Sequence, residues 1–144
     1  MTEFVFGPYR LKVDVEATRD WYDHYGDATG GCSCAYCRNY AAAVGVLPPE
    51  VAAFLEPLGL DLHKPGDATE YGPAEGGRWY MPLWHIAGRL LEKGEGELTI
   101  APGVTASFFT DTGPFLKNFP EPCFQCGLSM TLPWVLEEPA DETP

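Results

Sequence analysis

The order of two sequence patterns along the chain constrains the fold most strongly. Helix-like patterns occur early, and after residue 66 the chain is a series of Gly-punctuated segments typical of strands. Residues 78–91 (RWYMPLWHIAGRLL) would place apolar side chains on both faces of an extended strand. This pattern predicts a central strand that is covered on both sides. Because helices and strands are segregated, the chain is predicted to form an α+β fold on a mostly antiparallel sheet.

The remaining elements are predicted from shorter signals. Residues 9–16 alternate between apolar and charged side chains, as in a half-buried strand, and residues 122–136 alternate in the same way. Three short helices are predicted: one capped by Thr18 and ending at Gly26, one running from near Ser33 to Gly45, and one restarted by Pro48–Pro49. We therefore expect a single domain over residues 1–136, with two or three short helices packed on a curved sheet of about five to six strands. Residues 137–144 are predicted to form an acidic tail.

Charge and hydropathy restrict the possible partners and the compartment. The 144 residues contain 21 Asp and Glu but 9 Lys and Arg, a net charge of −12. This balance argues against binding to nucleic acid or to an anionic membrane surface, whereas a basic protein partner is compatible with it. No apolar stretch approaches the roughly 18 residues of a membrane span, and residues 1–16 do not resemble a signal peptide. The expected compartment is the cytoplasm, where thiols stay reduced.

One dense cluster of cysteines carries the chemistry. The segment GGCSCAYCRNY places Cys32, Cys34 and Cys37 within six residues. Cys34 and Cys37 are three residues apart at the predicted start of the second helix, so both thiols can lie on one side of it. The amino terminus of a helix and the nearby Arg38 both favour the thiolate. Thiolate is the form that binds Zn²⁺ or attacks a disulfide.

A zinc site is the first interpretation of this cluster. The three cysteines would supply three ligands of a structural Zn²⁺, and a fourth residue would complete the tetrahedron. The candidates for the fourth ligand are His85, Cys126, Cys123, His24 and His63, of which His85 and Cys126 are preferred. Cys123 and Cys126 are three apart in a predicted strand, so they point to opposite faces and at most one can join the site. Thiolate ligands would also suit an iron–sulfur cluster or Cu(I).

Other interpretations of the same residues stay open. Cys34 and Cys37 form a C-x-x-C pair at a helix start, which is typical of thiol redox proteins, although no βαβ unit accompanies it. The cysteines can also be core residues without a chemical role, since free Cys is often buried. In that case the acidic surface would serve a non-enzymatic interaction domain, or would only keep the protein in solution. No motif for an activated hydroxyl or a pair of catalytic carboxylates is present, so whether the protein is an enzyme is left open.

Several segments together resemble a group of small uncharacterised bacterial proteins. They are GGCSCAYCRNY, LPPEVAAFLEPLGLDLHKPGDATEYG, YMPLWHIAGRL and FPEPCFQCGLSMTLPWVLEE, and they cover nearly the whole chain. The pattern C-x-C-x-x-C-R-N-[YF] is the most specific part, and Cys32, Cys34 and Cys37 match it. The resemblance implies a site that includes these cysteines and gives His85 a typical position, whereas Cys123 and Cys126 would be peculiar to this chain. It implies no reaction.

Overall fold

A computed structural model describes residues 1–27, 33–110 and 116–139. These residues form three helices and a seven-stranded antiparallel sheet, which confirms the predicted α+β fold. The helices are α1 (Val15–Tyr25), α2 (Ala35–Ala43) and α3 (Pro49–Leu55); short 3₁₀ turns follow α2 at Val44–Val46 and α3 at Glu56–Leu58. The strands are β1 (Thr2–Phe6), β2 (Tyr9–Val13), β3 (Asp67–Ala74), β4 (Gly77–Glu92), β5 (Leu98–Ala101), β6 (Val104–Phe109) and β7 (Cys123–Leu132).

The long strand β4 lies at the centre of the sheet, as its apolar sequence predicts. It is covered on both sides only over residues 84–88, whereas Trp79 and Leu91 are exposed. The order is β1-β2-β4-β7-β6-β5, and β3 also pairs with β4. Strand β7 follows one edge of β4, while β3 and β2 share the other edge: β3 pairs with it as far as Leu83, and β2 pairs with it from Gly88. The sheet has more strands than the expected five to six because β1 forms a hairpin with β2. That segment, TEFVF, has no buried residue and therefore no alternation strong enough to predict it.

The core lies on the inner face of the curved sheet. The curvature of the sheet brings β1 close to β6. The Phe6 ring lies 5.9 Å from the Phe108 ring and 5.1 Å from that of Phe54 in α3. The apolar residues at alternate positions of β7 are buried, as the alternation predicts: Phe124, Cys126, Leu128, Met130 and Leu132. Gln125 and Gly127 on the other face are buried as well. The fully buried large side chains include Trp84, Tyr22, Tyr40, Tyr80, Phe108, Phe124, Leu55 and Leu128.

Helix α1 begins earlier than the sequence analysis predicts. Asp14, not Thr18, caps it: the Asp14 Oδ1 atom accepts a hydrogen bond of 3.1 Å from the Ala17 backbone N–H. Thr18 is buried in the first turns, where its hydroxyl donates to the Asp14 carbonyl (2.9 Å). Both residue types are good caps, and the choice depends on where β2 ends, which the local sequence does not reveal.

Side chains of α1 complete the edge of β4 between the two strands that share it. The Tyr22 hydroxyl accepts from the His85 backbone N–H (2.8 Å) and donates to the His85 carbonyl (3.2 Å). The Ala87 backbone N–H donates to the Thr18 hydroxyl (3.0 Å), and the Ala87 carbonyl accepts from the Asp14 backbone N–H (2.8 Å). Buried backbone groups need such partners, so α1 is fixed against this gap in the sheet.

Helices α2 and α3 are short and are separated by a sharp bend. Within the described ranges, no single helix is long and apolar enough to cross a membrane. The segments Ala35–Val46 and Pro49–Leu58 would have that length and composition only together, and a bend of 106° separates them.

Candidate functional site

Cys34 and Cys37 lie on the first turn of α2, as the sequence predicts. Cys34 is the N-cap residue, is exposed, and caps no backbone N–H with its side chain. Cys37 is the third residue of the helix and is buried. Cys32, the third member of the cluster, lies outside the described residues. The structure therefore presents one thiol to solvent and one to the interior, on the same helical turn.

Cys34 lies at the amino-terminal end of α2, near the Arg38 guanidinium. The first backbone N–H groups of a helix have no partner within the helix and carry partial positive charge. The Arg38 guanidinium is also close: its Nε atom donates to the Ser33 carbonyl (3.0 Å). The pKa of Arg38 is raised mainly by its hydrogen bond to Glu138, and the charge of Cys34 adds to this effect. The exposed sulfur of Cys34 thus lies at a helix amino terminus and within electrostatic range of a guanidinium.

Cys37 packs between α2 and the inner face of the sheet. Its Sγ atom lies 3.9 Å from the carbonyl oxygen of Ala68 in β3. Beside it, the Tyr80 hydroxyl donates to the Tyr36 carbonyl at 2.7 Å. Burial raises the pKa of Tyr80 to about 12, and the charges of Glu70, Cys37 and Cys34 contribute to this rise. Tyr80 therefore lies within electrostatic range of both thiols.

Residues 133–138 cross α2 next to the two cysteines. The Asn39 side chain accepts from the Val135 backbone N–H (2.8 Å) and donates to the Pro133 carbonyl (3.1 Å). Glu138 forms an ion pair with Arg38, and the Trp134 indole donates to the Glu138 carbonyl (2.8 Å). The second residue of the predicted acidic tail, Glu138, thus contacts Arg38, while residues 140–144 lie outside the described part of the chain.

His85 and Cys126, the preferred fourth ligands, occupy opposite faces of the sheet. Cys126 pairs with Trp84 on the inner face, and His85 pairs with Gln125 on the outer face. Cys126 is fully buried, and burial raises the pKa of its thiol well above the ordinary range, which disfavours the thiolate a metal needs. His85 is also buried, and its ring lies 5.4 Å from that of Phe119. The two residues therefore cannot both complete one site.

The other candidate ligands are also dispersed. His24 and His63 are exposed, as expected, and Cys123 is half-buried in the unbroken register of β7. Among residues 1–27, 33–110 and 116–139, no three His, Cys, Asp or Glu side chains are grouped to hold a metal ion. A site containing Cys32 includes a residue beyond those ranges.

Sequence reasoning missed a nearly buried ion pair beside the cysteines. Glu70 lies in β3 with its side chain 8% exposed and 3.4 Å from the Arg78 guanidinium. The Arg78 guanidinium also stacks 5.5 Å from the centroid of the Tyr36 ring, in the first turn of α2. A Glu and an Arg eight residues apart give no local signal of pairing, because β3 and β4 must first form their hairpin.

Comparisons with protein-family models, with curated proteins and with solved structures yielded no match.

Proposed function

We propose that this protein binds Zn²⁺ in the cytoplasm through the thiolates of Cys32, Cys34 and Cys37. The observation that supports the proposal best is the position of Cys34 and Cys37 on the first turn of α2, which holds two thiol ligands three residues apart at one helix end. Cys32 is two residues before the N-cap, which is close enough along the chain for its thiol to approach the same ion.

The donor set selects among metals by chemical softness. Thiolates suit Zn²⁺, Cu(I) and iron–sulfur clusters, and hard cations such as Mg²⁺ prefer oxygen ligands. Three thiolates and one Zn²⁺ leave a net charge of −1, which the Arg38 guanidinium is placed to offset. We therefore propose Zn²⁺, with Cu(I) and iron–sulfur clusters as the results that metal analysis would distinguish.

Metal analysis of reduced, untagged protein tests this proposal. We expect about one equivalent of zinc by mass spectrometry, and its loss in Cys34→Ser, because three protein thiolates hold the ion. Serine is a good N-cap residue, so this variant should keep α2 intact. Cys123→Ser is the matched control, a half-buried thiol in β7 that should retain the zinc. Zinc-free wild type, or zinc lost equally from both variants, would contradict the proposal.

Thiol–disulfide exchange is a second candidate that one observation favours. Cys34 is exposed and Cys37 is buried one turn away, as a nucleophilic and a resolving thiol would be. The Cys34 thiolate would attack a substrate disulfide, and Cys37 would then release the reduced substrate and leave a Cys34–Cys37 disulfide. A Cys37→Ala variant should then accumulate a mixed disulfide at Cys34 with a small disulfide probe. Metal-free protein in which neither thiol reacts preferentially would exclude both candidates.

A further inference from the structure

The outer face of five strands is almost free of charge. This neutral face consists of the outward-pointing residues of β3, β5 and β6, of β4 up to Leu83, and of β7 from Gly127. Registered pairs run across it: Thr69 with Met81, Trp79 with Thr131, Thr105 with Ser129. Its one charged residue is Asp67, at the start of β3, whose carboxylate accepts a hydrogen bond from the Thr69 hydroxyl (2.9 Å).

The adjoining part of the same outer surface is different. On β2 and the second half of β4, the outward positions include Arg10 and the registered pair Lys12 and Arg89. Because the whole protein carries a charge of −12, an area that spans five strands and holds one charged residue requires a reason. An ordinary exposed sheet face carries charged side chains, and these also protect it from association.

The neutral face also exposes large aromatic side chains. Trp79 is 41% exposed and Tyr71, in the bulge of β3, is 57% exposed, and their rings lie 5.1 Å apart. The Trp79 indole N–H donates to the Ser129 hydroxyl (2.8 Å), which fixes the ring across the sheet. Met81 and Leu83 lie half-buried on the same strand. Exposed apolar surface of this kind on a protein marks an interaction site.

We propose that the neutral face binds a second copy of this chain. Two molecules that each carry −12 repel each other, and juxtaposed like charges across an interface cost several kcal/mol. The neutral face lets two copies approach without such juxtaposition. Two sheets can pack face to face at about 10 Å with their outward side chains interdigitated. Aromatic and Met side chains with few charges are the composition that interfaces between copies favour.

Salt dependence gives this proposal a distinctive signature. Added salt screens the repulsion between two −12 molecules while leaving an uncharged contact intact, so the dimer should become more stable as ionic strength rises. A basic protein docked on the acidic surface would behave in the opposite way. Sedimentation equilibrium over a range of concentrations, at low and high salt and with a chelator present, measures the effect. The chelator keeps the result independent of the proposed zinc site.

A pair of variants tests whether the dimer contact lies on the neutral face. Thr131→Glu adds a negative charge at an exposed position beside Trp79, and we expect it to raise the dimer dissociation constant by about tenfold or more. Val5→Glu adds the same charge at a 71% exposed strand position outside the neutral face, and should change it little. Circular dichroism checks that both variants stay folded. Monomer at every concentration and salt, or a dimer weakened by Val5→Glu and not by Thr131→Glu, would overturn the proposal.

Discussion

At the scale of single residues, one buried hydroxyl decides how α1 attaches to the sheet. Tyr22 replaces a neighbouring strand for His85, because its hydroxyl serves both the backbone N–H and the carbonyl of that residue. Burial raises the pKa of Tyr22 far above its ordinary value, so the hydroxyl stays protonated and can donate. A phenylalanine side chain would fill the same space but would remove the hydrogen-bond partner of the His85 N–H and carbonyl.

Tyr22→Phe tests the role of this hydroxyl. We expect the substitution to lower the free energy of unfolding by about 1–3 kcal/mol, the cost of leaving buried polar groups unsatisfied. Tyr25→Phe removes a hydroxyl from the same helix at a position that is 60% exposed, and should change stability by less than about 0.5 kcal/mol. Urea denaturation of both variants measures the difference. Equal effects at the two positions would mean that the hydrogen bonds to His85 contribute nothing to stability.

The local sequence predicts that Cys34 and Cys37 share the first turn of α2, but it does not predict which residues lie near them. The three-residue spacing of Cys34 and Cys37 and the helix signals near Ser33 were sufficient to place both thiols on the first turn of α2. The fourth-ligand candidates His85 and Cys126 depended on which face of β4 and β7 each residue occupies relative to α2. That relation is set by packing between distant elements, which local patterns do not encode.

At the scale of elements, sequence patterns with a strong period predict the strands, and segments with a weak period do not. The long apolar segment gave β4, and the alternation of residues 122–136 gave β7, which ends a few residues earlier at Leu132. Strand β1 has no such period because its residues are exposed or half-buried, and the cap of α1 lies four residues before the predicted Thr18. In both cases tertiary pairing, with β2 and with β4, supplies what the local sequence lacks.

One glycine lies where strands β2 and β4 begin to pair, and we expect its substitution to destabilise this pairing. Gly88, where β2 begins to pair with β4, has φ of +136°, and a Cβ atom there would lie 2.0 Å from the Lys12 carbonyl oxygen. Gly88→Ala should therefore lower the free energy of unfolding by about 2–4 kcal/mol. The control is Gly45→Ala, where a Cβ atom meets nothing within 4 Å and the effect should be within about 0.5 kcal/mol. A similar small effect at both positions would show that the β2–β4 junction can relax.

At the scale of the whole molecule, the core holds several ionisable groups in their neutral form. Burial raises the pKa of Tyr22, Tyr40, Tyr80 and Cys126. Each group is neutral in both folded and unfolded chains at neutral pH, so their ionisation does not change stability with pH there. At alkaline pH the unfolded chain ionises first, and the folded state then loses stability relative to it.

This coupling predicts an alkaline limit to stability with a defined sign. The ordinary pKa of tyrosine is about 10, so the contribution of Tyr80 is fully present below that pH and is lost as the pH rises through about 12. We expect the free energy of unfolding, measured by urea denaturation, to be level near neutral pH and to fall steadily from about pH 9 upward, where Cys126 begins to contribute.

The variant Tyr80→Phe tests the part of this decline that is due to Tyr80. It also removes the hydrogen bond to Tyr36, so it should be less stable at every pH. Its loss of stability between about pH 10 and 12 should nevertheless be shallower than that of the wild type, because one fewer group ionises on unfolding. A parallel decline in the two proteins would show that the Tyr80 hydroxyl ionises as readily in the folded state as in the unfolded one.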